Sequence, residues 1–257
     1  MSKPMNINRR GFVGTCGGVA AAALAGGCAT IGGGNMGKVV VVGGGFGGAT
    51  AAKYLRMWSD NRIEVTLIEP NTAFVSCPIS NLVLGGSKQL ADITVPYANL
   101  ASRHGVKVVH DMVAAIDPAK KTVRLASGST LPYDRLVLSP GIDFMWDNVK
   151  DLQAASQSGR ILQAWKAGPE TVALRRQLEA MPDGGVYALA IPEAPYRCPP
   201  GPYERASVIA SYFKQAKPKS KVLVLDANAD VTSKGPLFKK VWAEQYKGIL
   251  EYRPQHK

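Results

Sequence analysis

Lys38-Val39-Val40-Val41-Val42-Gly43-Gly44-Gly45-Phe46-Gly47-Gly48-Ala49-Thr50-Ala51-Ala52 is the stretch that decides the fold. Its run of valines reads as a strand buried on both faces, as inside a parallel sheet. Gly43-x-Gly45-x-x-Gly48 follows at once, and small residues then open a helix. The three glycines have separate duties. Gly43 permits the tight turn, Gly45 lets the backbone approach a pyrophosphate, and Gly48 lets the helix pack close. Phe46 and Gly47 lie at the helix start, where free N–H groups and the positive dipole end favour phosphate. A bare GxGxxG carries little weight. Here a second strand, Ile63 to Ile68, ends on Glu69, about 20 residues beyond the glycines, where the fingerprint holds a ribose hydroxyl. The alternative is a generic glycine-rich turn in an α/β protein.

Working outward, residues 37–150 read as a Rossmann-like, three-layer α/β domain. The loop from Pro70 to Asn81 leaves the C-terminal edge of its sheet, where the ligand crevice of such folds lies. Pro78 keeps Cys77 out of helical geometry, so this thiol is expected beside whatever the glycines hold. The other reading of Cys77 is a small buried hydrophobe. Val106 to Val109 reads as a strand, and 114–118 with 121–125 as a hairpin or meander. Tyr133 to Gly141 reads as a buried strand ending in a turn at the same edge.

Residues 151–257 read as part of a second dinucleotide-binding-like domain. Leu174, Leu178 and Met181 stripe a helix over 170–181, which Pro182-Asp183-Gly184-Gly185 stops. A strand over 186–191, a helix over 204–214 and a strand over 221–226 follow, then a helix and a short strand near Leu250. The place of a second glycine fingerprint holds Pro192, Pro195, Pro199, Pro200 and Pro202. Proline has no N–H to donate and adds bulk, so no second dinucleotide such as NADH is expected there. The same prolines present Cys198 as a rigidly held, exposed thiol, with Arg197 beside it to favour thiolate. A structural role for Cys198, or a Cys77–Cys198 disulfide in an oxidising compartment, is the alternative.

The chain has 257 residues, 46% of them hydrophobic and 19% charged, which suits a globular protein. The net charge of +12 would attract nucleic acid, anionic membrane or an acidic protein. The charges are scattered, and no basic helix with interleaved aromatics appears, so no nucleic acid is expected. His104, His110 and His256 form no ligand pattern and there is no CxxC, so no metal is expected. Residues 1–36 resemble a twin-arginine export signal. Asn8-Arg9-Arg10-Gly11-Phe12-Val13 has Asn where Ser or Thr is usual, and an apolar run extends from Phe12 to Leu24. That run is too short and glycine-rich to span a membrane. A periplasmic location is expected. Leu24-Ala25-Gly26-Gly27-Cys28 approximates a lipoprotein box with its spacing off by one, so a lipid anchor at Cys28 is the alternative.

Taken together, several features resemble the flavoprotein subunit of flavocytochrome c sulfide dehydrogenase. They are the glycine fingerprint, Glu69, the Cys77-Pro78 loop, Leu138-Ser139-Pro140-Gly141 and Tyr196-Arg197-Cys198-Pro199-Pro200-Gly201-Pro202-Tyr203-Glu204. Sulfide:quinone reductases are related, and type II NADH dehydrogenases more remotely so. The resemblance implies FAD, with its pyrophosphate on Gly43, Gly45 and Gly48, its adenosine ribose on Glu69, and its diphosphate near Ser139 to Gly141. It implies a thioether from Cys77 to the flavin 8-methyl carbon. It makes Cys198 one of two redox cysteines that take sulfur from sulfide and pass two electrons to the flavin. A c-type cytochrome subunit would accept them, or quinone on the alternative reading. A catalytically silent flavoprotein or binding module is a third reading. Two dinucleotide-binding domains and a C-terminal interface domain need more than 257 residues. The resemblance therefore also implies that this chain stops inside the second domain. The second redox cysteine and the returning FAD segment would then lie outside it.

Overall fold

The computed structural model describes residues 34–256. The proposed export signal lies outside the described residues except for its last three, and Cys16 and Cys28 lie outside them too.

The first sheet is parallel throughout. Strand β1 (Gly37–Val42) runs between β2 (Ile63–Ile68) and β9 (Arg135–Leu138), and β5 (Lys107–Val109) lies beyond β2. Helix α1 (Phe46–Trp58) is the crossover from β1 to β2. Val39 and Val41, with Val65 and Leu67, pack against Ala52 and Leu55 of α1 and Leu100 of α3 (Ala98–His104). Val40 and Ile68 face the opposite side. There they meet Val123 and Leu125 of an antiparallel meander, β6 (Val113–Asp117), β7 (Thr122–Leu125) and β8 (Thr130–Pro132). Helices, sheet and meander are the three layers. The two covered faces explain why the valine run has no polar alternation.

The second sheet is also parallel, in the order β10 (Val186–Ile191), β11 (Lys221–Asp226), β12 (Leu250–Arg253). Helix α6 (Gly201–Ala216) joins β10 to β11, and α7 (Gly235–Gln245) joins β11 to β12. Tyr203, Ala206, Ile209 and Phe213 of α6 pack on Val222 and Val224, with Leu174 and Leu178 of α5 (Pro169–Ala180) and Trp242 of α7. Leu84, from the short helix α2 (Ser80–Leu84), lies in this same core. Arg175 Nη1 donates to the Leu84 carbonyl at 3.1 Å. The loop that carries Cys77 therefore leaves the first sheet and is fixed in the core of the second.

Two expectations shift. Helix α6 begins at Gly201 instead of Glu204, because Pro202 falls in its first turn, where no N–H is needed. Short elements add to the plan: α2, α3, α4 (Leu152–Gln157), and the paired strands β3 (Ala73–Val75) and β4 (Thr94–Pro96). None is long enough to show a period in the sequence.

Candidate dinucleotide cradle and thiol loops

Each glycine of the fingerprint has a distinct surrounding. Gly43 stands at φ +91°, and a Cβ there would fall 2.0 Å from the Ser139 carbonyl oxygen. A Cβ on Gly48 would fall 1.8 Å from the Gly43 carbonyl oxygen, so helix and turn touch backbone to backbone. At Gly45 an added Cβ would meet nothing within 4 Å. That open space, at the N-cap of a 13-residue helix with no side-chain cap, is where a pyrophosphate would meet free N–H groups. Ser139 is drawn in as well. Its N–H donates to the Val42 carbonyl at 2.8 Å, and its Oγ would lie 2.7 Å from a Cβ on Gly47. Gly141 follows at φ +80°. Phe46 is exposed, and its ring meets Phe74 edge-on at 4.8 Å. The predicted glycines, Phe46, Glu69, Ser139 and Gly141 thus share the C-terminal edge of one sheet.

Glu69 is buried there, with both carboxylate oxygens engaged. The Gly44 N–H donates to Oε2 at 2.8 Å, while the Asn71 N–H and Nδ2 donate to Oε1 at 3.0 and 2.7 Å. His110 Nδ1 donates to the Glu69 carbonyl at 3.0 Å. The sequence had given no sign of Tyr97, which completes this knot. Its hydroxyl donates to the Gly44 carbonyl at 2.8 Å, and its ring lies 2.6 Å from where a Gly44 Cβ would be. Burial, with the Glu69 charge adding to it, pushes the Tyr97 hydroxyl up to about 12. The Gly44 peptide is thus held from both sides, N–H by Glu69 and C=O by Tyr97. These residues fit a dinucleotide. Each carboxylate oxygen has two lone pairs, so Oε2 keeps acceptor capacity for a ribose hydroxyl.

Cys77 and Cys198 are both exposed and both free, which corrects the disulfide alternative. Each sulfur faces a different neighbour. Cys77 Sγ accepts from the Ala167 N–H at 3.5 Å. Cys198 Sγ would lie 3.2 Å from a Cβ on Gly201. Cys198 holds φ at +59°, a left-handed conformation that costs a non-glycine residue about 1 kcal/mol or more. Arg197 is exposed, and Arg205, on the next turn of α6, is buried. Residues 164–167 reach both thiol loops. Ala167 contacts Cys77, the Ala164 carbonyl accepts from Arg205 Nη2 at 2.7 Å, and the Trp165 ring sits 5.9 Å from that of Tyr196. No local pattern marks this stretch, because its contacts span long sequence separations.

The proline loop closes the second unit. Asp226, at the end of β11, is fully buried. Its Oδ2 accepts from the hydroxyls of Tyr203 and Tyr252 at 2.7 and 3.0 Å, and its Oδ1 from the Asn228 N–H and Nδ2 at 2.9 and 2.7 Å. Burial pushes both tyrosine hydroxyls well above their usual range, and the Asp226 carboxylate adds to it. Among the described residues no group of three His, Cys, Asp or Glu could hold a metal, and no helix is long and apolar enough to cross a membrane.

Fold and cradle together define an α/β protein of the Rossmann-like, FAD-binding oxidoreductase class. Residues 37–167 match the family model described as Pyridine nucleotide-disulphide oxidoreductase. Residues 171–257 match the model described as Sulfide dehydrogenase (flavocytochrome c) flavoprotein chain, central. The chain belongs to the pyridine nucleotide-disulphide oxidoreductase family, and within it to the family of the sulfide dehydrogenase flavoprotein chain. It is 70% identical over 38 residues to the "Sulfide dehydrogenase flavoprotein chain" of Chlorobaculum thiosulfatiphilum, a stretch covering 15% of this chain and 77% of that one. It is 27% identical over 190 residues to the mitochondrial sulfide:quinone oxidoreductase of Mus musculus, covering 69% of this chain and 39% of that one. The chain thus spans well under half the length of that relative. Among solved structures, the sulfide:quinone oxidoreductase of Aquifex aeolicus superposes with a TM-score of 0.68 at 23% identity, covering 85% of this chain and 51% of that one. That likeness bears on the fold alone.

Proposed function

We propose that this chain is the flavoprotein part of a sulfide-oxidising enzyme that passes electrons to a c-type cytochrome. The observation that carries the proposal is the cradle. The chain is open at Gly45 and closed at Gly43 and Gly48, with Glu69 standing at the edge. Residues 37–150 form the FAD-binding domain on this reading, and 151–257 part of a second domain without a nucleotide fingerprint. Bound FAD would supply a two-electron acceptor that releases electrons singly. Gly43, Gly45 and Gly48, with the N–H groups of Phe46 and Gly47, bind its pyrophosphate. Glu69 orients the ribose, and Ser139 and Gly141 flank the diphosphate. Cys198 presents the sulfur that meets sulfide. Its strained, exposed position supports this, since glycine would sit there at less cost. Cys77 is the attachment point for a covalent flavin. The leader at residues 1–36 directs the chain to the periplasm.

Adding sulfide to the flavin-loaded protein should bleach the flavin, and Cys198→Ala should abolish the bleaching at unchanged flavin content. Bleaching retained in that variant contradicts the role of Cys198. Acid precipitation should leave flavin on the wild type and release it from Cys77→Ser. Release from both rules out the thioether. The second reading, with quinone as acceptor, is favoured by the named sulfide:quinone relatives. Reduction of cytochrome c measured against reduction of a soluble quinone separates the two.

A further inference from the structure

Residues 192–200 join β10 to α6 through Pro192, Pro195, Pro199 and Pro200, whose nitrogens donate nothing. The loop is tied down by side chains, and the ties come from the far end of β11. The Ala194 N–H donates to Asn228 Oδ1 at 2.9 Å, and Asn228 Nδ2 donates to the Pro192 carbonyl at 2.9 Å. Those hold the start of the loop. Its other half, which carries Cys198, is held by Tyr196. The Tyr196 hydroxyl oxygen lies 2.8 Å from Thr232 Oγ1, 3.3 Å from the Tyr203 hydroxyl oxygen and 3.4 Å from the Pro199 carbonyl oxygen.

Proton counting gives these contacts a direction. The Tyr203 hydroxyl has one proton, and the Asp226 carboxylate takes it at 2.7 Å. The Tyr203 oxygen in turn accepts from the Thr232 N–H at 3.1 Å. The Thr232 hydroxyl therefore donates to Tyr196, and the Tyr196 proton is left for the Pro199 carbonyl. Cys198 stands inside the span so closed, between Tyr196 and Pro199. Its own carbonyl accepts from the Gly201 N–H at 2.9 Å, and its sulfur lies against Gly201. At φ +59° it holds a conformation that a free loop would leave.

We propose that Tyr196 is a positioning residue for Cys198, its hydroxyl clamping the turn on either side of the cysteine to Thr232 and so setting the direction of the sulfur from the buried end of β11. This deepens the reading of Cys198 as the sulfur that meets sulfide, and rests on it. A displaced reacting atom costs rate at unchanged affinity.

The first readout needs neither flavin nor sulfide. It is hydrogen exchange of the Gly201 N–H, followed by NMR on the full chain labelled at its glycines, because that N–H is bonded to the Cys198 carbonyl. Tyr196→Phe keeps the ring beside Trp165, loses the hydroxyl, and should speed this exchange about fivefold. Thr232→Val should do the same, whereas Thr232→Ser keeps a hydroxyl and should match the wild type. The Gly105 N–H, bonded to the Ala101 carbonyl in the first unit, should stay unchanged and report an intact fold. The second readout is sulfide-driven bleaching per bound flavin. Tyr196→Phe should slow it about tenfold at saturating sulfide, with the half-saturating concentration moved by less than about twofold. Unchanged Gly201 exchange in Tyr196→Phe overturns the proposal. So does a Thr232→Ser variant that behaves like Thr232→Val, or faster exchange with no loss of bleaching rate. Should Tyr196→Phe fail to fold, Thr232→Val decides by the same two readouts. Bleaching retained in Cys198→Ala would remove the role of the cysteine and leave the Gly201 exchange as it is, so the two failures are told apart.

Discussion

At the end of β2, Glu69 accepts the N–H and side-chain amide of Asn71. At the end of β11, Asp226 accepts the same two groups from Asn228. Both acids stand two residues before an asparagine, after a parallel strand and its crossover helix. Their other oxygens differ. Glu69 Oε2 holds only the Gly44 N–H, whereas Asp226 Oδ2 is closed off by Tyr203 and Tyr252. The helix starts differ likewise, glycine open to a ligand at Gly45 and proline without donors at Pro199, Pro200 and Pro202. Topology and the acid are shared, so neither decides whether a nucleotide is held. Free N–H groups and unfilled lone pairs decide it, and those are set by a few residues around each acid.

The comparison breaks most visibly at Asp226. Asp226→Ala leaves two tyrosine hydroxyls and the Asn228 amide without their acceptor in a closed core. At about 1–3 kcal/mol for each unsatisfied group, a loss of about 3–5 kcal/mol in urea unfolding is expected. Glu69→Ala should cost the fold clearly less while removing FAD retention. Equal stability losses would erase the distinction between a sealed acid and an open one. Next in size is Gly48→Ala. Its Cβ would strike the Gly43 carbonyl at 1.8 Å, backbone against backbone, so both stability and flavin content should fall, stability by about 2 kcal/mol or more. The smallest effect belongs to Tyr97→Phe, which removes one hydrogen bond to Gly44 and should cost about 1 kcal/mol, with FAD binding weakened several-fold. Tyr97 also predicts a pH dependence. Its folded pKa of about 12 lies above the ordinary tyrosine value of 10.0, so the neutral form favours the folded state. That contribution is full below pH 10 and is lost as pH rises toward 12. Tyr97→Phe should lack this part of the alkaline destabilisation seen in the wild type.

Much of this was legible in the chain. β1 and β2 follow their apolar runs closely because buried parallel strands are written as continuous runs, and β10 and β11 follow theirs although alternate residues of β10 are exposed. The fingerprint named the right glycines because turn, approach and packing each demand a missing Cβ. Tyr97, Ala164 to Ala167 and Arg205 were not legible. Tyr97 meets Gly44 across 53 positions and Arg205 meets Ala164 across 41, and neither contact leaves a local period.

The central claim is that the open space at Gly45 is where the FAD pyrophosphate meets the backbone. The direct measurement is an FAD titration, followed by flavin fluorescence, of the wild type and Gly45→Ala, with melting temperatures taken without FAD. The account predicts nearly equal melting temperatures, since the new Cβ meets no protein atom within 4 Å, and FAD affinity at least about tenfold weaker in the variant. Equal affinity with equal stability would contradict it.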